Sequence, residues 1–419
     1  MYQAPRGTSD ILPQQQVYFK HIADKASLAA YLYGYERIDT PVFEDFGLFS
    51  HSIGEETEIV VKEMYVFKDK GDKVLALRPE GTAPLCRAYI EHGMGSLPQP
   101  VRLYYFASAF RYERPQAGRY RQHHQFGFEA IGDADPALDV EIIDLAWQLY
   151  TSLGIDQLSL YLNSIGCKAC RPGYVQALKD YYSPQLSQLC PDCQARWQRN
   201  PLRLLDCKQP ACQEKAVQAP QSLDHLCVYC RGHFAEVKRH LEALGLPYTL
   251  NPRLVRGLDY YTNTVFEIQL RTSSLALGGG GRYDNLIEQL GGKPTPAVGF
   301  ATGVERIIGY LKEHGIPVPP SPRPEVAIVY LGEAAKSDAL KLASELRSEK
   351  VAVLLAAGGR SLKGQLRHAG SLGARYVLIV AEDEMRSGTV TLRDMSSHEQ
   401  KSVPRGEIAR FLSPKSQPG

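Results

Sequence analysis

The sequence predicts an α+β protein. A large region is built on an antiparallel hairpin, a cysteine-rich segment interrupts it, and a separate α/β unit follows. Three observations carry this. Residues 101–132 read as strand, polar basic loop, strand. Eight of the 9 cysteines fall between Cys167 and Cys230. After the stretch IPVPPSPRPE, which has five prolines and no periodicity, apolar strand-like runs alternate with helical ones. Such a stretch is a linker. The unit beyond it has a length within the range of one domain.

The 419 residues suffice for two or three domains, and 44% hydrophobic with 22% charged content excludes a disordered chain. A net charge of +2 predicts no global attraction to nucleic acid, so any RNA contact must be local. No apolar run reaches membrane-spanning length, and MYQAPRGTSDILPQQQ lacks the apolar core of a secretory signal. The expectation is a cytoplasmic protein with reduced thiols and no membrane partner.

Taken in order, PRGTSDILP offers Asp10 or Ser9 as the cap of a helix from Gln14 to Leu32, which Gly34 ends. YERIDTPVFED reads as strand and Pro41 turn. Met64 to Leu77 forms a hairpin turning at DKGD. RPEGTAP lies at a strand-to-helix junction, where backbone N–H groups are unpaired. Thr82 there is a binding residue or a simple cap. On the central hairpin, side chains alternate between faces. Arg111 and Glu113 therefore share one face of the first strand, and Gln125 and Glu129 share one face of the second. The bland alternative is an edge hairpin with a solvated face.

DPALDVEIIDLAWQLYTSLG is an amphipathic helix with Leu138, Ile142, Leu145 and Leu149 on its buried stripe, and LSLYLNSIG returns as a strand. Cys167 and Cys170, Cys190 and Cys193, and Cys227 and Cys230 are each separated by two intervening residues, with Cys207 and Cys212 a looser pair. Such pairs suit tetrahedral zinc. Two four-cysteine sites, one site with a reduced remainder, or buried or redox-active thiols all remain open, and so does the pairing. Gly278 to Gly281 allow a close approach of backbone to ligand. Arg306 falls in the first turn of a helix, where a cation opposes the dipole and suggests phosphate binding. In the last unit, Gly358, Gly359, Arg360 and Lys363 offer a basic edge.

FRYERPQAGRYRQHHQFGFE resembles motif 2 of class II aminoacyl-tRNA synthetases in its histidyl form. RGLDYYT, complete from Arg256 to Thr262, resembles the histidyl-specific peptide, and LALGGGGRYDNL the second such motif. YERIDTPVFED is similar to motif 1, and AVGFATGVERIIGYLKEHG to motif 3. The resemblance spans nearly the whole chain. It implies a class II catalytic core, an antiparallel sheet flanked by helices, over residues 1–321. A mainly helical cysteine-rich insertion at 167–245 would interrupt it, and an anticodon-binding domain would occupy 322–419. It implies a homodimer that binds L-histidine, ATP with Mg²⁺ and histidine tRNA.

The same resemblance implies the site. Arg111 and Arg256 flank the α-phosphate as the catalytic cations, Arg256 standing where other members of the class use a metal ion. Glu113 meets the nucleotide edge, Arg119 belongs to the ATP site, and Arg306 holds the far phosphates. Glu80, Gly81, Thr82 and Gln125 hold the ammonium side of histidine. Glu129 and Tyr261 bond the imidazole, and Tyr260 and Tyr283 wall the pocket. Arg114 and Gln116 read the tRNA acceptor end.

His123 departs from the family, which usually has a phenylalanine there that stacks on adenine. The expectation is weakened or pH-sensitive ATP affinity, with Phe126 as the nearest substitute. Two rivals are a regulatory subunit of ATP phosphoribosyltransferase and a synthetase-derived RNA sensor. Against the first stand the intact C-terminal unit and RGLDYYT. Against the second stands the retention of Arg111, Arg256 and Arg306 together.

Overall fold

The computed structural model describes residues 2–54, 57, 59–113, 120–272, 276–356 and 360–412. The chain divides into two compact units, Met1–Pro319 and Pro320–Gly419.

The first unit opens with α1 (Pro13–Leu32), β1 (Glu36–Arg37), β2 (Phe43–Asp45) and α2 (Phe46–Ile53). Next come β3 (Val66–Lys68), β4 (Val74–Leu77), α3 (Thr82–Glu91), β5 (Val101–Phe110), β6 (Gln122–Ile131), α4 (Pro136–Ser152) and β7 (Leu158–Ser164). The insertion carries α5 (Arg171–Tyr182), α6 (Pro191–Arg199), α7 (Pro210–Ala216) and α8 (Val228–Ala243). The unit closes with β8 (Tyr248–Leu250), β9 (Thr262–Leu270), β10 (Ala276–Arg282), α9 (Leu286–Gln289), β11 (Ala297–Gly303) and α10 (Val304–Glu313).

Neither Asp10 nor Ser9 caps α1. Leu12 occupies the N-cap with no side-chain bond, and proline takes the first turn. Proline lacks the N–H a cap would satisfy and already has helical φ, so the start needs no side-chain acceptor. Gly34 does end the helix, at φ 74°.

Eight strands form one sheet in the order β1-β5-β6-β11-β10-β9-β7-β8. Its five inner pairings are antiparallel, while the edge pairs β1–β5 and β7–β8 are parallel. Strand periodicity divides β6 cleanly. Phe126, Phe128 and Ala130 join one core with Ile22 and Ala26 of α1, Ile142, Leu145 and Leu149 of α4, Val237 of α8 and Ile307 of α10. Each fully buried leucine, isoleucine, valine or phenylalanine side chain among these stabilises by roughly 1.5–3 kcal/mol. The opposite face carries Leu103, Tyr105 and Val265, packed with Leu85 and Tyr89 of α3. The functional cleft opens on that second face. A small sheet, β2-β4-β3, flanks it. Arg78 braces the turn after β1, donating through Nη1 to Thr40 O at 2.7 Å and through Nε to Ser108 O at 2.8 Å.

The second unit comprises β12 (Val326–Tyr330), α11 (Glu333–Ser348), β13 (Val353–Leu355), α12 (Leu362–Ser371), β14 (Tyr376–Val380), α13 (Glu382–Ser387), β15 (Thr389–Asp394), β16 (Gln400–Pro404) and α14 (Ile408–Leu412). The sheet order is β13-β12-β14-β15-β16. Its last strand has no apolar alternation in sequence. Only Val403 of β16 is buried, as befits an edge strand.

Candidate active site

One cleft collects Glu80, Thr82, Gln125, Glu129, Tyr260, Tyr261 and Tyr283 toward one end. It also contains Arg111, Glu113, His123, Arg256 and Arg306. Gly81 sits beside it, its N–H donating to Gln125 Oε1 at 3.0 Å. Arg114, Gln116 and Arg119 lie outside the described residues, as do Gly358 and Gly359.

Glu129 projects from β6 into the closed end. Thr82 Oγ1 donates to its Oε1 at 2.6 Å, and the Tyr283 hydroxyl donates to its Oε2 at 2.6 Å. Gly299 is the paired residue on β11, and a Cβ there would overlap the carboxylate. Burial pushes the Glu129 carboxyl up to about 8, against the opposing pull of the two hydroxyls, and the nearby Glu80 adds to the rise. Glu80 is also buried, and burial raises its pKa. Its carboxylate turns into the start of α3, accepting from Thr82 N at 2.6 Å and Ala83 N at 2.9 Å. Thr82 is therefore not the helix cap. Gly81 occupies that position without a side-chain bond, and the residue before it supplies the acceptor.

The aromatic wall is compact. Tyr260 and Tyr261 have ring centroids 4.8 Å apart, and Tyr260 meets Tyr283 edge-on at 5.7 Å. Tyr105 belongs to the same end, its hydroxyl 3.3 Å from Gln125 Oε1. Sequence reading missed it, because an aromatic in a strand reads as core. Its place opposite Gly127 in the hairpin register was the available signal.

Arg111 and Glu113 are not on the strand itself. β5 ends at Phe110, and one further ladder bond, Arg111 N to Arg121 O at 2.9 Å, carries the chain into the cleft. Arg111 Nε donates to Pro79 O at 2.9 Å. Arg256 Nη1 donates to Glu267 Oε2 at 2.5 Å, a carboxylate the sequence reading did not single out. A Cβ on Gly279 would sit 2.6 Å from Arg256 Nη1, so the glycine run makes room for a guanidinium. Arg306, in the first turn of α10, donates to Ala276 O at 2.6 Å. Three guanidiniums facing one cleft make an anion site.

His123 lines this cationic region. Burial, then the charges of Arg111, His124 and Arg306, lower its pKa to about 3. A ring held neutral in the physiological range argues against a pH-sensitive ATP affinity arising from its own titration. Phe126 cannot replace it. Position 126 faces the opposite core, where its ring packs 4.9 Å from Phe128.

None of the eight paired cysteines lines this cleft. They form two groups, Cys167, Cys170, Cys227 and Cys230, and Cys190, Cys193, Cys207 and Cys212. None is in a disulfide.

The antiparallel sheet with its flanking helices and the C-terminal α/β unit constitute the class II synthetase fold. A family model described as histidyl-tRNA synthetase matches residues 7–307, and one described as an anticodon binding domain matches 325–415. The chain is 56% identical over 410 residues to a histidine--tRNA ligase of Dehalococcoides mccartyi, covering 97% of this chain and 98% of that one. It is 47% identical to a histidine--tRNA ligase of Desulforamulus reducens, with the same coverage. The apo histidyl-tRNA synthetase of S. aureus superposes with a TM-score of 0.82 at 35% identity, over 98% of this chain and 100% of that one. The chain belongs to the histidyl-tRNA synthetase family. A Bacillus halodurans structure titled as an ATP phosphoribosyltransferase regulatory subunit/histidyl-tRNA synthetase matches at 22% identity with a TM-score of 0.64, over 91% of this chain and 98% of that one. That match speaks to the fold alone.

Proposed function

We infer that this chain is a histidine--tRNA ligase, forming histidyl-adenylate and pyrophosphate from L-histidine and ATP and then charging histidine tRNA. The observation that carries it is the single cleft in which a doubly hydrogen-bonded buried carboxylate, Glu129, shares space with Arg111, Arg256 and Arg306. Full-length relatives named histidine--tRNA ligase support it.

In the first step a histidine carboxylate oxygen attacks the α-phosphorus in line. The bond to the β-phosphate bridging oxygen breaks, and pyrophosphate leaves. Positioning and charge stabilisation account for most of the rate. Arg111 and Arg256 grip the α-phosphate oxygens from two sides, Arg256 held in place by Glu267. Glu113 meets the adenine edge, His123 stacks as a neutral ring, and Arg306 takes the far phosphates, with Mg²⁺ entering as part of the ATP substrate.

Gly81, Thr82 and Gln125 bind the ammonium side of histidine, with Glu80 setting the local charge. Glu129 and Tyr261 pair with the imidazole nitrogens, between Tyr260 and Tyr283. A side chain without those nitrogens leaves buried polar groups unpaired, which rejects it by about 10⁴-fold. In the second step the terminal ribose hydroxyl of tRNA attacks the adenylate carbonyl and AMP leaves. Arg114, Gln116 and Arg119 belong to the loop that meets the acceptor end and ATP. Arg360 and Lys363 contribute to the RNA-facing edge of the C-terminal unit.

The enzyme acts as a cytoplasmic homodimer. Val42, Phe43, Val66, Phe67 and Val74 expose apolar side chains on and beside the small sheet, and exposed apolar surface is what an interface between copies would cover. No helix among the described residues is long and apolar enough to cross a membrane. Charging of a histidine tRNA transcript with labelled histidine tests the whole reading, and acceptance of label is expected. A folded protein that binds the transcript without charging it would overturn the reading.

A further inference from the structure

We propose that the insertion holds two structural zinc ions in separate tetrathiolate sites, and that the site at its root positions the pocket peptide bearing Tyr260 and Tyr261. The metal sites stand on their own geometry, and the coupling rests on the histidine-pocket reading above.

Within each group the four sulfurs lie within 4.8 Å of one another. At the root the separations are 3.4 Å for Cys227–Cys230, 3.7 Å for Cys170–Cys230, 3.8 Å for Cys167–Cys170 and 3.9 Å for Cys167–Cys227. In the other group Cys190 and Cys207 are 3.8 Å apart. Zinc–sulfur bonds of about 2.3 Å in a tetrahedron place sulfurs about 3.8 Å apart. These distances are too long for disulfides, and closed four-sulfur sets are not what the packing of buried thiols produces. Backbone amides already point at sulfur. Cys167 N lies 3.3 Å from Cys170 Sγ, Cys190 N 3.4 Å from Cys212 Sγ, and Gln209 N 3.4 Å from Cys207 Sγ. Such donors stabilise thiolates. Loading each site takes up one Zn²⁺ and releases the thiol protons, up to one per cysteine.

The two sites do different work. Cys193, Cys207 and Cys212 sit in a small core with Tyr174, Leu178 and Tyr182, so the distal ion holds the insertion's own lobe together. The root ion would join the chain where it leaves β7 to the start of α8, two points 60 residues apart in sequence. That junction is bonded to the pocket peptide. Asn263 N donates to Gly166 O at 3.0 Å, and Ile165 N donates to Asn263 O at 2.9 Å. Arg171 reaches both Gly166 O and Tyr261 O. From the other side α8 presents His233, 3.3 Å from Asp139 Oδ1. The same Asp139 accepts from Arg282 at 2.7 Å, the residue before Tyr283.

The test is metal content and histidine kinetics of the full-length protein. The purified wild type should carry zinc at both groups, two per chain. Cobalt substituted into both sites should show thiolate-to-cobalt absorption. Cys190→Ser with Cys193→Ser should lose one equivalent and keep the histidine KM. Cys167→Ser with Cys170→Ser should lose one equivalent and raise the histidine KM above that of the distal variant, because the Gly166–Asn263 and Arg171–Tyr261 bonds tie this site to the pocket peptide. Wild type stripped of both ions by chelator and then reloaded shows, without a variant that could misfold, whether metal loss raises the histidine KM reversibly. One zinc or none in the wild type would overturn the two-site proposal. Equal histidine KM in the two double variants would overturn the coupling. If no amino acid is activated, the functional reading fails while the zinc count still decides the sites.

Discussion

The Tyr283 hydroxyl donates to Glu129 Oε2 at 2.6 Å, which ties the residue after the glycine-rich strand to the second strand of the central hairpin inside the closed end of the cleft. With Thr82 on the other oxygen, the carboxylate is held at a fixed angle before any ligand arrives. Preorganisation of this kind gives selectivity, because a ligand must match groups that cannot relax.

Glu129→Gln should lower kcat/KM for histidine by about 10²–10³-fold, since an amide cannot carry the charge that pairs with imidazole. Its stability should change in the opposite sense. The folded-state pKa of about 8 is above the ordinary value of 4.5, so between those values the folded protein holds a proton the unfolded chain has lost. The stability contribution falls as pH rises through that window. Glu129→Gln removes this penalty, and calorimetry should find its Tm raised by a few degrees at pH 8 and unchanged at pH 4.5. A variant equally stabilised at both pH values would show that the gain does not come from the Glu129 proton.

Tyr283→Phe leaves Glu129 Oε2 without its donor at a cost of roughly 1–3 kcal/mol. That bond holds the Glu129 pKa down, so its loss moves the value further above about 8. The rising limb of kcat/KM for histidine against pH should shift to higher pH in the variant. An unshifted limb would show that Tyr283 does not set the ionisation.

Arg256→Lys keeps a charge but loses the planar fork that meets Glu267 and leaves a second face for phosphate. Pre-steady-state adenylate formation should slow by about 10³-fold, with a smaller change in the KM for ATP. A raised KM for ATP with the rate of adenylate formation unchanged would point to ground-state binding instead.

His123→Phe should tighten ATP a few-fold by added stacking area. The wild-type ring stays neutral because burial and the cations Arg111 and Arg306 hold its pKa at about 3. The ATP affinities of wild type and variant should therefore run parallel between about pH 5.5 and pH 8, well above any titration of this ring. Curves that converge or cross near the ordinary histidine pKa would refute the neutral ring.

What the sequence made legible follows from period and spacing. Position 129 faces the same side as 125, because strand side chains alternate, and the pocket end of β6 was readable on that ground alone. Arg111 was assigned correctly to the cleft but wrongly to the strand, since a ladder's end depends on its partner. The choice of Leu12 over Asp10 at the start of α1 was hidden, because Pro13 makes a side-chain cap unnecessary. The cysteine spacing announced pairs, yet the joining of Cys167 and Cys170 to Cys227 and Cys230 requires the path of the chain between them. Tyr105 and Glu267 were missed because each looks ordinary within its strand and acquires a role only from what lies opposite.

The most direct test of the central claim is ATP–pyrophosphate exchange with each common amino acid in turn. Exchange dependent on histidine, with every other amino acid at background, is the predicted result. Exchange with another amino acid at comparable rate, or with none in a folded protein, would contradict the assignment of Glu129 and its neighbours as a histidine pocket.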